Sequence, residues 1–215
     1  MVAVTLEYAE FVGWIENFAD VIAENRDYLT KLDSAIGDAD HGSNMHRGFQ
    51  AAVAQIKDAP GDDIGAMLKT VGMTLVSKVG GAGGPLYGTL FMQIGAPLAG
   101  KSSAGLEEWT AALESGVKGL QSRGKAEPED KTMVDALLPA VDALKETASE
   151  NDSLSQALHR SADAAFKGME ATVPLVARKG RASYLGERSA GHQDPGATSA
   201  YLLLKAAADT WGDSS

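Results

Sequence analysis

Apolar residues recur along this chain at the three-and-four spacing of helix faces, and almost nowhere at the alternation of strands. Phe11, Trp14, Ile15, Phe18, Val21 and Ile22 form one stripe, and Met45, Phe49, Val53 and Ile56 a second. Ile64, Leu68, Val71 and Leu75 form a third, and Leu86, Leu90 and Ile94 a fourth. Leu106, Trp109, Leu113, Val117 and Leu120 follow, then Val134, Leu137, Val141 and Leu144. Leu154, Leu158, Met169, Val173 and Val176 mark a longer seventh helix, and Ala197, Tyr201, Leu204, Ala208 and Trp211 an eighth. Breakers fall between the stripes, at Pro60-Gly61, Gly80 to Gly84, Gly124, Gly180 and Gly191 to Gly196. The pattern predicts an all-α fold of about eight helices. With no internal repeat or linker, the 215 residues are read as one domain, 1–215.

Composition narrows the partners. Hydrophobic residues make up 44% of the chain, enough for a sizeable core. A net charge of -10 opposes nucleic acid and anionic membranes. The absence of cysteine excludes disulfides and thiolate metal sites, and fits a reducing cytoplasm. Glu7 and Glu10 argue against a signal peptide. Residues Val79 to Gly100 carry no formal charge, but their seven glycines and two prolines make a poor membrane span. This stretch is read as a loop feeding a short buried helix.

Three carboxylates stand within eight residues, at Asp33, Asp38 and Asp40. They repel one another unless cations neutralise them, and hard oxygen donors in a small loop suit Mg²⁺. Gly37 and Gly42 let that loop fold tightly, and Asn44 adds a neutral polar contact. A calcium loop starting at Asp38 fails, because its sixth and twelfth positions hold Ser43 and Phe49. Separate helix caps and solvated acids fit the spacing equally well. Gly80-Gly81-Ala82-Gly83-Gly84-Pro85 precedes a helix, with Pro85 expected at its first position. Such a helix start favours anions, although a tight interhelical turn needs glycines too. Gly95 to Ser102 matches the pattern of a P-loop but lacks the preceding strand. There, Gly100 is expected to end a helix and Lys101 to be a solvated loop charge.

Two later loops add candidates. Arg123 to Met133 offers Gly124, the Thr132 hydroxyl, and Met133, which either covers an adenine ring or packs in the core. Arg178, Lys179, Arg181 and Arg188 form a basic patch in an acidic chain. Arginine suits phosphate, because its planar fork donates two hydrogen bonds at once. Asp194-Pro195 also reads as a helix cap with a first-turn proline. His41 and His192 lie in polar loops, as acid–base groups or as structural hydrogen-bonding residues.

Together these loops resemble the DhaL family, the nucleotide-binding subunits of bacterial dihydroxyacetone kinases. The matching segments run 32–45, 80–88, 123–135 and 177–199. The resemblance implies an eight-helix antiparallel up-and-down barrel, with the nucleotide site in interhelical loops at one end. Asp33, Asp38 and Asp40 would coordinate two Mg²⁺ ions. His41, Gly42, Ser43 and Asn44 would contact phosphates, together with Ala82 and Gly83. Gly124, Thr132 and Met133 would lie near the adenosine. Arg181 and the Asp194-Pro195-Gly196 turn would close the site, and Arg181 would act with the three carboxylates in transfer. The resemblance further implies ADP or ATP as a tightly bound coenzyme, and a cytoplasmic setting. It implies a DhaM-like phosphohistidine donor and a DhaK-like subunit that binds dihydroxyacetone, and it leaves a homodimer open. An ATP-dependent ketose kinase subunit and a non-catalytic nucleotide-binding paralogue are the alternatives. Two departures stand out. Gly83 replaces the family's usual serine, and Glu129 stands where the family usually has glycine.

Overall fold

The computed structural model describes residues 5–150 and 153–212, so the first four and last three residues of the expected 1–215 domain lie outside the described residues. The fold is all-helical, with nine α-helices among the described residues: α1 (Tyr8–Glu24), α2 (Arg26–Ile36), α3 (His41–Asp58), α4 (Ile64–Lys78), α5 (Gly83–Gly95), α6 (Leu106–Gly124), α7 (Val134–Glu150), α8 (Leu154–Ala171) and α9 (Pro195–Trp211). Eight of them carry the eight apolar stripes. The ninth, α2, falls where periodicity predicts none. Its buried face is Leu29, Asp33 and Ile36. A carboxylate holds the middle place of the row, which masks the stripe. Asp33 is therefore helical, and only 37–40 form the loop before α3.

Other boundaries shift for local reasons. Helix α8 stops at Ala171, short of Val173 and Val176, because Pro174 bars helical geometry in the residue before it. Pro85 sits third in α5, not first, where its missing N–H still costs nothing. Two three-residue strands, β1 (Thr5–Glu7) and β2 (Ser103–Gly105), pair antiparallel with Leu6 opposite Ala104. They are too short to leave an alternating pattern. No helix among the described residues is long and apolar enough to cross a membrane.

The helices pack in sequence: α3 on α4, α4 on α5, and so on to α9, which packs on α1 as α1 does on α3. Helix α2 packs on α3 beside this ring. Glycines bring α4 and α5 close together. A Cβ added at Gly72 would lie 2.7 Å from the Gly88 carbonyl oxygen, and one at Gly65 would lie 2.6 Å from that of Gly95.

Aromatic residues seal one end. Trp14 meets Trp109 edge to face at 5.3 Å, Trp109 meets Trp211 at 4.9 Å, and Phe11 lies 5.0 Å from Trp211. All four are essentially fully buried. The Trp14 indole N–H donates to the Leu203 carbonyl at 3.1 Å, and that of Trp211 to the Glu10 carbonyl at 2.9 Å. The P-loop-like segment lies at this end too. Helix α5 leads into it in place of a strand, and a 3₁₀ turn (Ala96–Leu98) lies within it. Lys101 is half-exposed but paired, with Nζ 2.6 Å from Glu108 Oε1. At the other end gather the C-termini of α2 and α6 and the N-termini of α3, α5, α7 and α9.

Candidate metal centre and anion cleft

The open end holds a cleft of about 480 Å³, a size that takes a small-molecule ligand. Asp33 enters from the last turn of α2, and Asp38 and Asp40 from the loop that follows. Each offers a carboxylate oxygen within 4.8 Å of the others'. Asp33 is buried, and its Oδ2 accepts from the backbone N–H of Asp40 at 2.8 Å and of His41 at 3.1 Å. It thus caps α3 from another helix, while Asp40, the residue at the cap position, makes no side-chain cap bond. Gly37 is required here, since a Cβ would fall 1.9 Å from Asp33 Oδ1. Ala39, between the other two acids, is held at φ 62, a left-handed conformation that costs a non-glycine residue energy. Among the described residues, the cation paired within the group is Arg181, whose Nε lies 2.9 Å from Asp38 Oδ2. Three carboxylates facing one guanidinium leave net negative charge.

Opposite stands the glycine turn. Gly81 takes φ 62, and Ala82 and Gly83 begin α5, where no side chain caps the free N–H groups. Ala82 and Gly83 both line the cleft, as does Asn44. The Asn44 Oδ1 accepts from Arg47 Nη2 at 2.6 Å, and Arg47 Nε donates to the Lys78 carbonyl at 2.9 Å. Arg47 therefore fixes both Asn44 and the approach to the glycine turn. Gly42 and Ser43 do not line the cleft. Gly42 lies against α2, where a Cβ would fall 2.0 Å from the Arg26 carbonyl oxygen, and Ser43 Oγ donates to the Asp40 carbonyl at 3.2 Å.

Gly124, Thr132 and Met133 line the third wall with Leu86 and Leu120. Met133 also belongs to the main hydrophobic cluster, so it packs in the core and faces the cleft at once. Its loop turns through three left-handed residues, Lys125, Glu129 and Lys131, at φ 50, 68 and 62. The Glu129 turn forms despite lacking the family's glycine, and its N–H donates to Asp135 Oδ1 at 2.5 Å. Lys131 is 1% exposed. Its ammonium donates to the carbonyls of Thr172, Val173, Leu175 and His192 at 2.7, 3.3, 3.0 and 2.5 Å. Burial holds its pKa below the usual lysine range. His192 thus contributes its backbone carbonyl to this cage.

The segment that carries Arg181 follows, as a 3₁₀ stretch Arg181–Ser189 bounded by Gly180 at φ 62 and Gly191 at φ 85. Its basic residues do not act as one patch. Arg178 and Lys179 each approach buried Asp130 at 3.9 Å, and Lys179 and Arg181 reach the cleft. Asp194 caps α9, its Oδ2 accepting from the Ala197 N–H at 2.7 Å, with Pro195 and Gly196 beside it on the cleft wall. Burial pushes the Asp194 carboxyl up to about 7 against the pull of that bond and of Lys131.

His41 starts α3 and lines the cleft, with Nε2 2.9 Å from Ser199 Oγ. Burial holds its pKa below the ordinary value, against the charges of Asp33 and Asp40. Sequence reasoning misses Ser199, Tyr87, Arg47 and Lys131, all of which sit inside apolar helix faces or away from the glycine-rich loops. The exposed Tyr184, at 86% of its full area, lies on the Arg181 segment.

Comparison with known proteins places this arrangement. The model of the DAK2 domain matches residues 35–209, beginning two residues after Asp33. The chain is 45% identical over 201 residues to the ADP-binding subunit DhaL of the PEP-dependent dihydroxyacetone kinase of Escherichia coli, covering 94% of this chain and 96% of that protein. It is 42% identical over 206 residues to the corresponding subunit of dihydroxyacetone kinase 2 of Listeria innocua, covering 95% of each. Among solved structures, the dihydroxyacetone kinase of C. freundii in complex with AMP-PNP and Mg²⁺ is similar, with a TM-score of 0.71 and 26% identity over 94% of this chain. The chain spans 34% of that kinase's length.

Proposed function

The chain belongs to the DAK2-domain family, and on that premise we propose that it is the ADP-binding subunit of a phosphoenolpyruvate-dependent dihydroxyacetone kinase. Through it, a phosphoryl group passes from a DhaM-like phosphohistidine carrier to dihydroxyacetone on a DhaK-like subunit. We read 1–215 as one domain, and the helical ring, with α2 appended, as the antiparallel eight-helix barrel. A cytoplasmic setting goes with these partners.

The observation that carries this reading is the convergence on one cleft of three carboxylates, an uncapped helix start and Arg181. The donor set suits magnesium, since hard oxygens are gathered with more negative charge than Arg181 offsets. Asp33, Asp38 and Asp40 would hold two ions. When bound, magnesium and the adenine nucleotide supply the transferable phosphoryl group and the charge that screens it. The chain's own residues position and neutralise. The first N–H groups of α5 and the polar edge of Asn44 receive phosphate oxygens. Met133, Leu86 and Leu120 cover the adenine and keep water from that wall, beside Gly124 and Thr132. Arg181, already next to Asp38, meets charge that develops on the moving group. The turn Asp194-Pro195-Gly196 closes the site.

Gly83 favours a second reading, a paralogue that binds nucleotide without turnover, because a hydroxyl donor is missing from the α5 start. Both readings require bound nucleotide. Purified protein, denatured and chromatographed, is expected to release stoichiometric ADP. Protein that carries none, and gives no heat with Mg-ADP in calorimetry, would sink both. Transfer to dihydroxyacetone in the presence of the two partner proteins separates the first reading from the second.

A further inference from the structure

Beneath the acidic loop, three helices meet at one hydroxyl. Ser199 Oγ, on α9, lies 2.9 Å from His41 Nε2 on α3, 2.7 Å from Tyr87 Oη on α5, and 3.1 Å from the Gly196 carbonyl oxygen. Tyr87 and Ser199 are wholly buried. Ser199 has one proton to give and two lone pairs to accept with. The Tyr87 phenol has Ser199 as its hydrogen-bond partner, and a buried O–H that fails to donate is costly, so it donates to Ser199.

The proton of Ser199 then has two claimants. If it goes to the Gly196 carbonyl, His41 must carry its hydrogen on Nε2, and Nδ1 is a bare lone pair. If it goes to His41 Nε2, the hydrogen of the neutral ring sits on Nδ1. Among the described residues the His41 ring is hydrogen-bonded at Nε2, and His41 lines the cleft, so Nδ1 is the ring nitrogen left to meet an occupant. A lone pair there repels a polyphosphate, whereas an N–H attracts it.

We propose that Tyr87 and Ser199 are positioning residues that act on the nucleotide through His41. With polyphosphate in the cleft, the chain runs from Tyr87 O–H to Ser199 Oγ, from Ser199 O–H to His41 Nε2, and from His41 Nδ1–H to a phosphate oxygen. The change rotates one hydroxyl and moves one ring proton from Nε2 to Nδ1 by exchange with water. The net charge of the chain stays the same, and nothing is oxidised. Gly196 keeps the backbone acceptance that its place in α9 provides. The inference rests on the nucleotide reading above.

The test has two parts. In ¹⁵N spectra of histidine-labelled protein with Mg-ADP, His41 is expected as the Nδ1–H tautomer, and an Nε2–H ring in that complex overturns the proposal. In calorimetry, Ser199→Ala is expected to weaken Mg-ADP binding about tenfold, the scale of a hydrogen bond to a charged acceptor. In a His41→Ala background the same change is expected to weaken it no further. Equal weakening in both backgrounds would mean a structural role and refute the proposal. Tyr87→Phe removes the first donor without orphaning a buried group, and repeats the cycle should Ser199→Ala unfold on heating. Wild-type protein that binds no Mg-ADP would instead fail the nucleotide reading, and the inference with it.

Discussion

At one end of the bundle, Trp109 meets Trp14 and Trp211 edge to face, and the indole N–H groups of Trp14 and Trp211 find backbone carbonyls. At the other end, carboxylates crowd together, a lysine ammonium is buried, and a neighbouring aspartate is held near neutrality. The four non-glycine residues with positive φ among the described residues, Ala39, Lys125, Glu129 and Lys131, all belong to that second end. Local choices at the aromatic end agree with one another. Those at the cleft conflict, and conflict of this kind gathers where a protein binds and reacts. The sealed end thus carries stability in excess, and the cleft spends it on geometry.

The sharpest way to break this contrast is to cut the sealed end. Trp14→Ala is expected to destabilise the fold by about 3–5 kcal/mol while leaving Mg-ADP affinity of the folded protein unchanged. Denaturant unfolding and calorimetry on one preparation check both halves. Next in size is a pH effect at the cleft. The Asp194 carboxyl lies near 7 when folded, against 3.8 ordinarily. A folded acid that keeps its proton longer loses stability as pH rises from the ordinary carboxylate range toward neutrality, and the loss then levels off. The difference between wild type and Asp194→Asn, which retains a capping side chain, is expected to trace this loss and to reach about 4 kcal/mol at most. A flat difference across roughly pH 3 to 8 in nucleotide-free protein (bounds of about one unit beyond each end of the titration) would put the carboxyl in solvent-like surroundings.

Asp38→Ala sharpens the comparison from the binding side. It is expected to weaken Mg-nucleotide binding roughly 100-fold, about 2.7 kcal/mol, with no loss of thermal stability, because the lost pair with Arg181 is partly exposed. Parallel losses of melting temperature and affinity would mean that the acid is structural. Gly83→Ser is expected to tighten Mg-ADP about tenfold, since a Cβ there lies 3.3 Å from a Val79 methyl and needs only a small adjustment. No gain in titration would remove position 83 from phosphate contact. Glu129→Gly is the smallest. Relief of φ 68, less the added freedom of the unfolded chain, is expected to stabilise by about 0.5–1 kcal/mol in equilibrium unfolding.

How much was legible in the sequence follows the same divide. Helices that bury only apolar side chains print their faces plainly, as α1 and α6 do. Helix α2 does not, because Asp33 stands between Leu29 and Ile36 on its buried side. The acidic and glycine-rich loops announce themselves through residue types that are costly elsewhere, and the cleft gathers most of the residues expected there. Gly42 and Ser43 face other ways, since a helix start turns successive residues around its axis. The supporting residues were hidden. Ser199 and Tyr87 sit on apolar helices and Lys131 in a loop, where nothing in the sequence singles them out. Each gains its meaning from partners on segments that only folding brings near.

Lys131 has a consequence beyond holding its own loop still. One ammonium clasps carbonyls from residues 172 to 175 and from 192, on both sides of the Arg181 segment. Loop segments held by separate bonds can fray one at a time, but segments gripped by a shared charge must let go together. Solvent exchange of the amides flanking that grip is therefore set by one cooperative opening, and the two ends of the Arg181 segment share a single clock.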